Sequence, residues 1–338
     1  MAKPQLLRRV ARAALRPTDT RSPWAAQAFF EYPRVIGHEL CVTCLEIPDG
    51  ALNPQNVKCG DVCSVEPYLH CGSCVACKHG KTNCCMNIKV MGVHVDGGLR
   101  ETFYVPVHKL HPVDLEKMPG GKPSVALVET LCIGCHAVNR AAVQPDEWVL
   151  IVGAGPVGMA TSQFALADGG KVIAMDIVQG RLDFLKDEIN VQHTVCITPG
   201  DPPEKTIEAI TAITGGDLPT CVMEVTGNIH SMKGSFQYVS HGGRLVFVGH
   251  TKLEVAYNNP LFHSREMTVM GSRNARAEDF TKCIACMQDG KVNPLPWITH
   301  KGPLETFAER DGDVEKGDFM VWMKPETGVI KAVVEMPE

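Results

Sequence analysis

The run Gly153-Ala154-Gly155-Pro156-Val157-Gly158 constrains this chain more than any other segment, because of what stands on either side of it. Trp148 to Val152 is a short apolar stretch of strand character, and the residues from Pro156 onward read as the opening of a helix. A strand that turns through glycines into a helix leaves unpaired N–H groups at the helix N-terminus, where a pyrophosphate binds, and Gly155 lets the backbone approach it. Lys171 to Met175 is a second strand, and Asp176 closes it, about twenty residues on, where a carboxylate can hydrogen-bond a ribose diol and repel a 2′-phosphate. The expected cofactor is NAD, with Gly153, Gly155, Pro156, Val157, Gly158 and Asp176 as its candidate binding residues. Arg181 opens the helical stretch to Ile189 and stands either over the adenine or as a solvated helix residue.

Further strands at Thr194 to Ile197, Cys221 to Val225 and Arg244 to Val248 continue the alternation, which implies a parallel sheet covered on both faces. Before about Val143 the character is different: Gly, Pro and short β-branched runs such as Val62 to Val65 and Thr102 to Val107, with no helical stripe before Val125. After Ser272 come a helix from Ala277 to Asp289 and a last strand-like run, Val329 to Val334, expected to pack back on the first domain. A length of 338 residues exceeds one ordinary core. The expected organisation is a β-rich domain over 1–143, a dinucleotide-binding domain over 144–272 and a return to the first domain over 273–338.

The net charge of -5 carries no basic excess for nucleic acid, and the partners expected are small molecules. The uncharged run Trp148 to Ala167 approaches the about 20 residues of a membrane span, but its motif glycines, Pro156 and Gln163 make it a strand plus helix turns, so no membrane partner is expected. Fifteen cysteines cluster along the chain with no apolar secretory signal ahead of them, which favours metal binding in a reducing, cytoplasmic setting over a disulfide framework. Arg8, Arg9, Arg12, Arg16 and Arg21 face one acid, Asp19, in the first 28 residues; this resembles a mitochondrial presequence in composition, but it is read as an irregular terminus because it runs almost into the next motif.

Cys71, Cys74, Cys77 and Cys85 have the spacing C-x2-C-x2-C-x7-C, with Gly72 and Gly80 permitting tight turns. Four thiolates around tetrahedral Zn²⁺ leave no position for water or substrate, so this lobe, about 66–90, is expected to be structural. Cys84 competes with Cys85 for the fourth place on spacing alone. Gly37-His38-Glu39 adds an imidazole beside a carboxylate, both zinc ligands, although the tripeptide by itself says little.

Taken together, Tyr32 to Glu39, Gly60-Asp61, the four-cysteine lobe, Asp96-Gly97-Gly98 and the phosphate loop resemble, in order and spacing, the zinc-containing medium-chain alcohol and polyol dehydrogenases, from about Phe29 to the C-terminus. Glu129-Thr130-Leu131-Cys132-Ile133-Gly134, Gly271-Ser272-Arg273-Asn274 and Thr327 to Lys331 resemble the sorbitol, threonine and sugar-acid branch. The resemblance implies a GroES-like catalytic domain joined to a Rossmann domain, Cys85 as the fourth lobe ligand, and a homodimer or homotetramer. It implies a catalytic Zn²⁺ held by His38 with Glu39 or Glu129, an alcohol hydroxyl at its open position, and hydride transfer to NAD. Glu66 and Tyr68, from Val65-Glu66-Pro67-Tyr68, would line the substrate pocket, and Arg273 would bind a polar or carboxylate end of the substrate; each also reads as an ordinary loop residue.

The chain departs from that family in one place. The family's first zinc ligand is a cysteine in a Cys-Gly-(Ser/Thr)-Asp motif, which falls here on Arg16-Pro17-Thr18-Asp19, so Thr18 and Asp19 keep their positions while the thiolate is replaced by a guanidinium. Arg21 falls where some relatives carry a relay histidine, and the Arg-rich stretch ahead of it lacks the expected strands. Either the segment before Phe29 reflects a changed start or reading frame, or the site is weakened, because a permanent positive charge lowers metal affinity. The rival readings are a non-catalytic NAD-binding protein of the same fold and a zinc-free quinone-type reductase; the four-cysteine lobe and His38 argue against the latter.

Overall fold

The computed structural model describes residues 6–8, 12–15, 34–308 and 316–336. Thr18, Asp19 and the other positions at 16–33 lie outside the described residues. The chain forms two compact units, one built from residues up to Glu129 together with those from Ala275 onward, the other from Thr130–Asn274.

The first unit contains the strands β1 (Arg12–Leu15), β2 (Leu40–Thr43), β3 (Val62–Val65) and β4 (Leu110–Pro112). These pair antiparallel in sequence order, and in register Val42 stands opposite Cys63. Leu40, Val42, Cys63, Val65 and Leu110 are buried in one apolar core, joined by Val57, Met91 and Phe103. Two short helices stand here ahead of the expected onset at Val125: a single turn over Val75–Lys78 inside the cysteine lobe, and Lys122–Ala126, which follows Gly120-Gly121 and has proline at its start. Both are too short to show an apolar stripe.

Helix α1 (Val128–Ala141) crosses from the first unit into the second. The composition changes near 143, and the two compact units divide at 129/130 and 274/275. A Cβ added to Gly134 would stand 2.5 Å from the backbone N of Thr161, so α1 lies against α2 (Pro156–Ala167) where only glycine fits.

The second unit carries β5 (Trp148–Val152), β6 (Lys171–Asp176), β7 (His193–Cys196), β8 (Cys221–Glu224), helix α3 (Ile229–Gly234), β9 (Arg244–Phe247) and β10 (Thr268–Gly271). All the strand pairings are parallel, in the order β7-β6-β5-β8-β9-β10. The order runs outward in both directions from the β5/β8 pair, which makes that pair the reversal point at which open α/β sheets bind ligands beyond the strands' carboxyl ends. Leu150, Val152, Ile173, Val222 and Leu245 fill its core.

The tail returns to the first unit as β11 (Ile298–Pro303) and β12 (Lys331–Glu335). β12 inserts between β11, parallel, and β1, antiparallel, and completes a six-stranded sheet. Val333 and Val334 are buried. Among the described residues no helix is long and apolar enough to cross a membrane, and none of the fifteen cysteines forms a disulfide.

Candidate functional site

In the first unit, one ligand atom from each of His38, Glu39 and Glu129 lies within 4.8 Å of the others. His38 and Glu39 are delivered by the turn into β2, which is held by the glycine pair that the sequence carries some sixty residues later: Gly97 N donates to the Val35 carbonyl at 2.7 Å, Gly98 N to Gly37 at 2.9 Å and Leu99 N to Ile36 at 3.0 Å. A Cβ on Gly97 would stand 2.2 Å from the Gly37 oxygen, so the two backbones can touch only because no side chain intervenes. Glu129 is brought in by the first turn of α1.

Glu39 is completely buried and pairs with the equally buried Lys331 at 2.5 Å. Glu129, 2% exposed, accepts a hydrogen bond from the Tyr68 hydroxyl. Two carboxylates and an imidazole gathered away from water suit a divalent cation, since the carboxylates would otherwise repel each other and lose hydration. His38 is half-buried, which leaves a face on the cluster open.

Tyr68 is buried beside the cluster, with its hydroxyl donating to Glu129. Glu66 is 1% exposed; one oxygen bonds Lys109 and the other stands 3.6 Å from His111 Nε2, both of them also buried. Burial works to raise its pKa, but the neighbouring His111 imidazole and the hydrogen-bonded charge of Lys109 outweigh it and hold the carboxyl below its ordinary range. Glu66 faces two internal basic side chains, because β3 and β4 pair Val65 with Leu110 and so bring Lys109 and His111 onto it. Phe280 stacks on His111 with ring centroids 4.8 Å apart and meets Tyr68 edge-on at 6.5 Å, closing the cluster with apolar surface. Lys331, Lys109, His111 and Phe280 had no signal as site residues in the sequence beyond Lys331 lying in one of the resemblance segments.

The cysteine lobe gathers Cys71, Cys74, Cys77 and Cys85, again within 4.8 Å, and leaves Cys84 exposed outside the group. Cys74 and Cys77 sulfurs are 3.5 Å apart, and Cys74 and Cys85 sulfurs 3.9 Å. Backbone N–H groups of Cys71 and Asn87 point at the Cys85 sulfur at 3.3 and 3.4 Å, and that of Cys74 at Cys71 at 3.4 Å. The Ser73 hydroxyl and the backbone N–H groups of Ser73 and Cys74 hold the Cys71 thiol down at about 5, whereas desolvation and the neighbouring Cys74 thiol push Cys77 up to about 12. Four sulfurs so placed cannot all ionise without a cation among them, and Zn²⁺ fits that donor set.

In the second unit Gly153 adopts φ +114° and Gly155 caps α2, with Pro156 in its first turn. A Cβ on Gly158 would stand 1.9 Å from the Gly153 oxygen, whereas one on Gly155 would meet nothing within 4 Å, so the turn is tight below and open above. Val157 follows in the first turn of α2. Asp176 ends β6 with Oδ2 accepting from Ala154 N at 2.6 Å and Oδ1 from Val178 N at 2.9 Å, and Arg181 stands 3.8 Å away, half exposed. Arg273 is exposed just beyond β10.

Family profiles match both parts of the chain: "Alcohol dehydrogenase GroES-like domain" over residues 3–115 and "Zinc-binding dehydrogenase" over 156–289. An L-galactonate-5-dehydrogenase of Escherichia coli (strain K12) is 41% identical over 294 residues, covering 86% of this chain and 82% of that protein. Among solved structures, an alcohol dehydrogenase of E. coli CFT073 complexed with NADH superposes with a TM-score of 0.83 at 22% identity, covering 97% of this chain and 91% of that one. The L-idonate 5-dehydrogenase of E. coli K-12 gives 0.81 at 19% identity, covering 98% and 91%. At these identities the two structures speak for the fold alone.

Proposed function

The chain belongs to the zinc-binding alcohol dehydrogenase family, and from that premise we propose that it oxidises a secondary alcohol of a polyol or sugar acid with NAD, using one structural and one catalytic zinc. The observation that carries the reading is the convergence of His38, Glu39 and Glu129 in the first unit. The names of the relatives, L-galactonate and L-idonate dehydrogenases, support the substrate class.

Bound there, Zn²⁺ supplies Lewis-acid polarisation of the alcohol oxygen, and NAD supplies the hydride acceptor. The residues of the chain do the rest. Tyr68 holds one oxygen of Glu129 and so orients the other. Lys331 balances the charge of Glu39, so that the pair of carboxylates does not bind a cation too tightly to leave a substrate position. The Asp176 carboxylate fixes the Gly153–Gly158 turn through Ala154 N and presents negative charge where a 2′-phosphate would lie. Arg273 is assigned to a polar end of the substrate, and Thr18, outside the described residues, to the proton path from the alcohol. The clustering of cysteines as metal ligands supports a reducing, cytoplasmic setting, and the family supports a homodimer or homotetramer.

The test is NADH formation with L-galactonate, L-idonate and sorbitol, together with the metal content of the purified protein. His38→Ala and Glu129→Gln should each reduce turnover by at least about a hundredfold while leaving NAD binding intact. About two zinc ions per chain are expected. A content of about one, with no turnover, would favour a non-catalytic NAD-binding protein, the reading that the replaced cysteine at Arg16 supports.

A further inference from the structure

Glu224 closes β8 beside the carboxyl end of β5, at the reversal point of the sheet. It is completely buried. Oε1 accepts from the Thr226 backbone N at 3.1 Å, from the Thr226 hydroxyl and from Ser231 Oγ at 2.9 Å, and Oε2 accepts from Gly227 N at 3.2 Å. All four donors are neutral. A carboxylate removed from water with no basic partner is expensive, and donors converging on it are fixed in place by charge-assisted bonds.

The same residue ties two loops together. Its main-chain oxygen accepts from Val248 N and Gly249 N, both at 2.9 Å. A Cβ on Gly249 would lie 2.2 Å from Gly227 N and 2.8 Å from Glu224 Oε2, and one on Gly227 would lie 2.6 Å from the His250 oxygen. The loops after β8 and β9 therefore meet backbone to backbone around this carboxylate. On its other side the β8 loop touches the phosphate turn: a Cβ on Gly153 would stand 2.8 Å from Thr226 Cγ2, and one on Gly158 3.2 Å from Val225 Cγ2.

A dinucleotide bound across a reversal point lays one mononucleotide half on each side of it. Asp176, at the end of β6, stands on the adenosine side, and the loops that Glu224 binds stand on the other. We infer that Glu224 is a positioning residue for the nicotinamide half of the cofactor: it holds Thr226 and Gly227 against the phosphate turn and so shapes the wall on which that half rests. It acts through those two residues and not by touching the cofactor. The inference rests on the NAD reading above.

The test uses the full chain, with NAD and AMP titrated separately against the wild type, Glu224→Gln, Thr226→Val and Ser231→Ala. Glu224→Gln keeps the shape but turns an NH₂ toward backbone donors. The expected result is a dissociation constant for NAD raised about tenfold, as loss of one or two such bonds implies, with that for AMP changed by less than about twofold. In turnover, KM for NAD should rise with KM for the alcohol unchanged. Thr226→Val should follow the same split, and it and Ser231→Ala decide the matter if Glu224→Gln fails to fold. Equal weakening of NAD and AMP would show a merely structural role and overturn the inference, as would no weakening of either. Those outcomes leave the family reading standing; a wild type that binds neither nucleotide would sink both.

Discussion

The Lys331 ammonium lies 2.5 Å from Oε2 of Glu39, and neither side chain is exposed. Partners 292 positions apart in sequence thus form a buried ion pair at the proposed metal site. Removing the cation leaves a buried carboxylate uncompensated, which costs about 3–5 kcal/mol. Lys331→Met should therefore unfold at lower denaturant in the presence of a chelator, and added zinc should restore part of the loss by taking over the charge. Equal midpoints for variant and wild type in chelator would contradict this role for the pair.

Cys77→Ser removes one of four converging sulfurs. Metal content should fall from about two zinc ions per chain to about one, and the melting temperature should fall with it, because the lobe's fold is coupled to its metal. NAD affinity should not change, since the lobe and the phosphate turn belong to different units. An unaltered melting curve would argue against a structural metal.

Asp176→Ala should narrow the preference for NAD over NADP by about tenfold or more, because it deletes the charge that repels a 2′-phosphate. It also frees Ala154 N, so NAD itself should bind more weakly. Titration of both dinucleotides separates the two effects; a preserved ratio would remove Asp176 from cofactor selection.

Glu66 has a pKa below its ordinary value, held there against burial by His111 and Lys109. The sign follows from linkage: a carboxyl with a depressed folded-state pKa stabilises fully above its unfolded value, and that contribution is lost as pH falls through the folded one. Glu66→Gln strands a buried Lys109 and should cost about 3 kcal/mol or more near neutrality. Melting temperatures of the two proteins should converge as the pH drops below the carboxylate range. A gap that stays constant or widens toward acid would contradict this account.

What the sequence disclosed depended on how local the cause was. The strand, turn, helix and acid from Trp148 to Asp176 interact within thirty residues, and the structure shows the elements in that order. The lobe cysteines are likewise neighbours in the chain, and the structure gathers them. Lys109 and His111, by contrast, carry no local signal, and only the pairing of β3 with β4 places them on Glu66. Lys331 is the same case over a longer span. The contact of α1 with α2 is likewise decided by packing, because the absence of a side chain at Gly134 lets the two helices touch.

β12 occupies an interior place in its sheet, between β11 and β1, although it is drawn from the last residues described. During synthesis the stretch Thr130–Asn274 is complete and free to fold while the other unit still lacks a central strand and the cation for Glu39. The half-built sheet waits with two unsatisfied edges until Lys331–Glu335 has been made, and a nascent chain halted short of Lys331 would present those edges to chaperones and proteases.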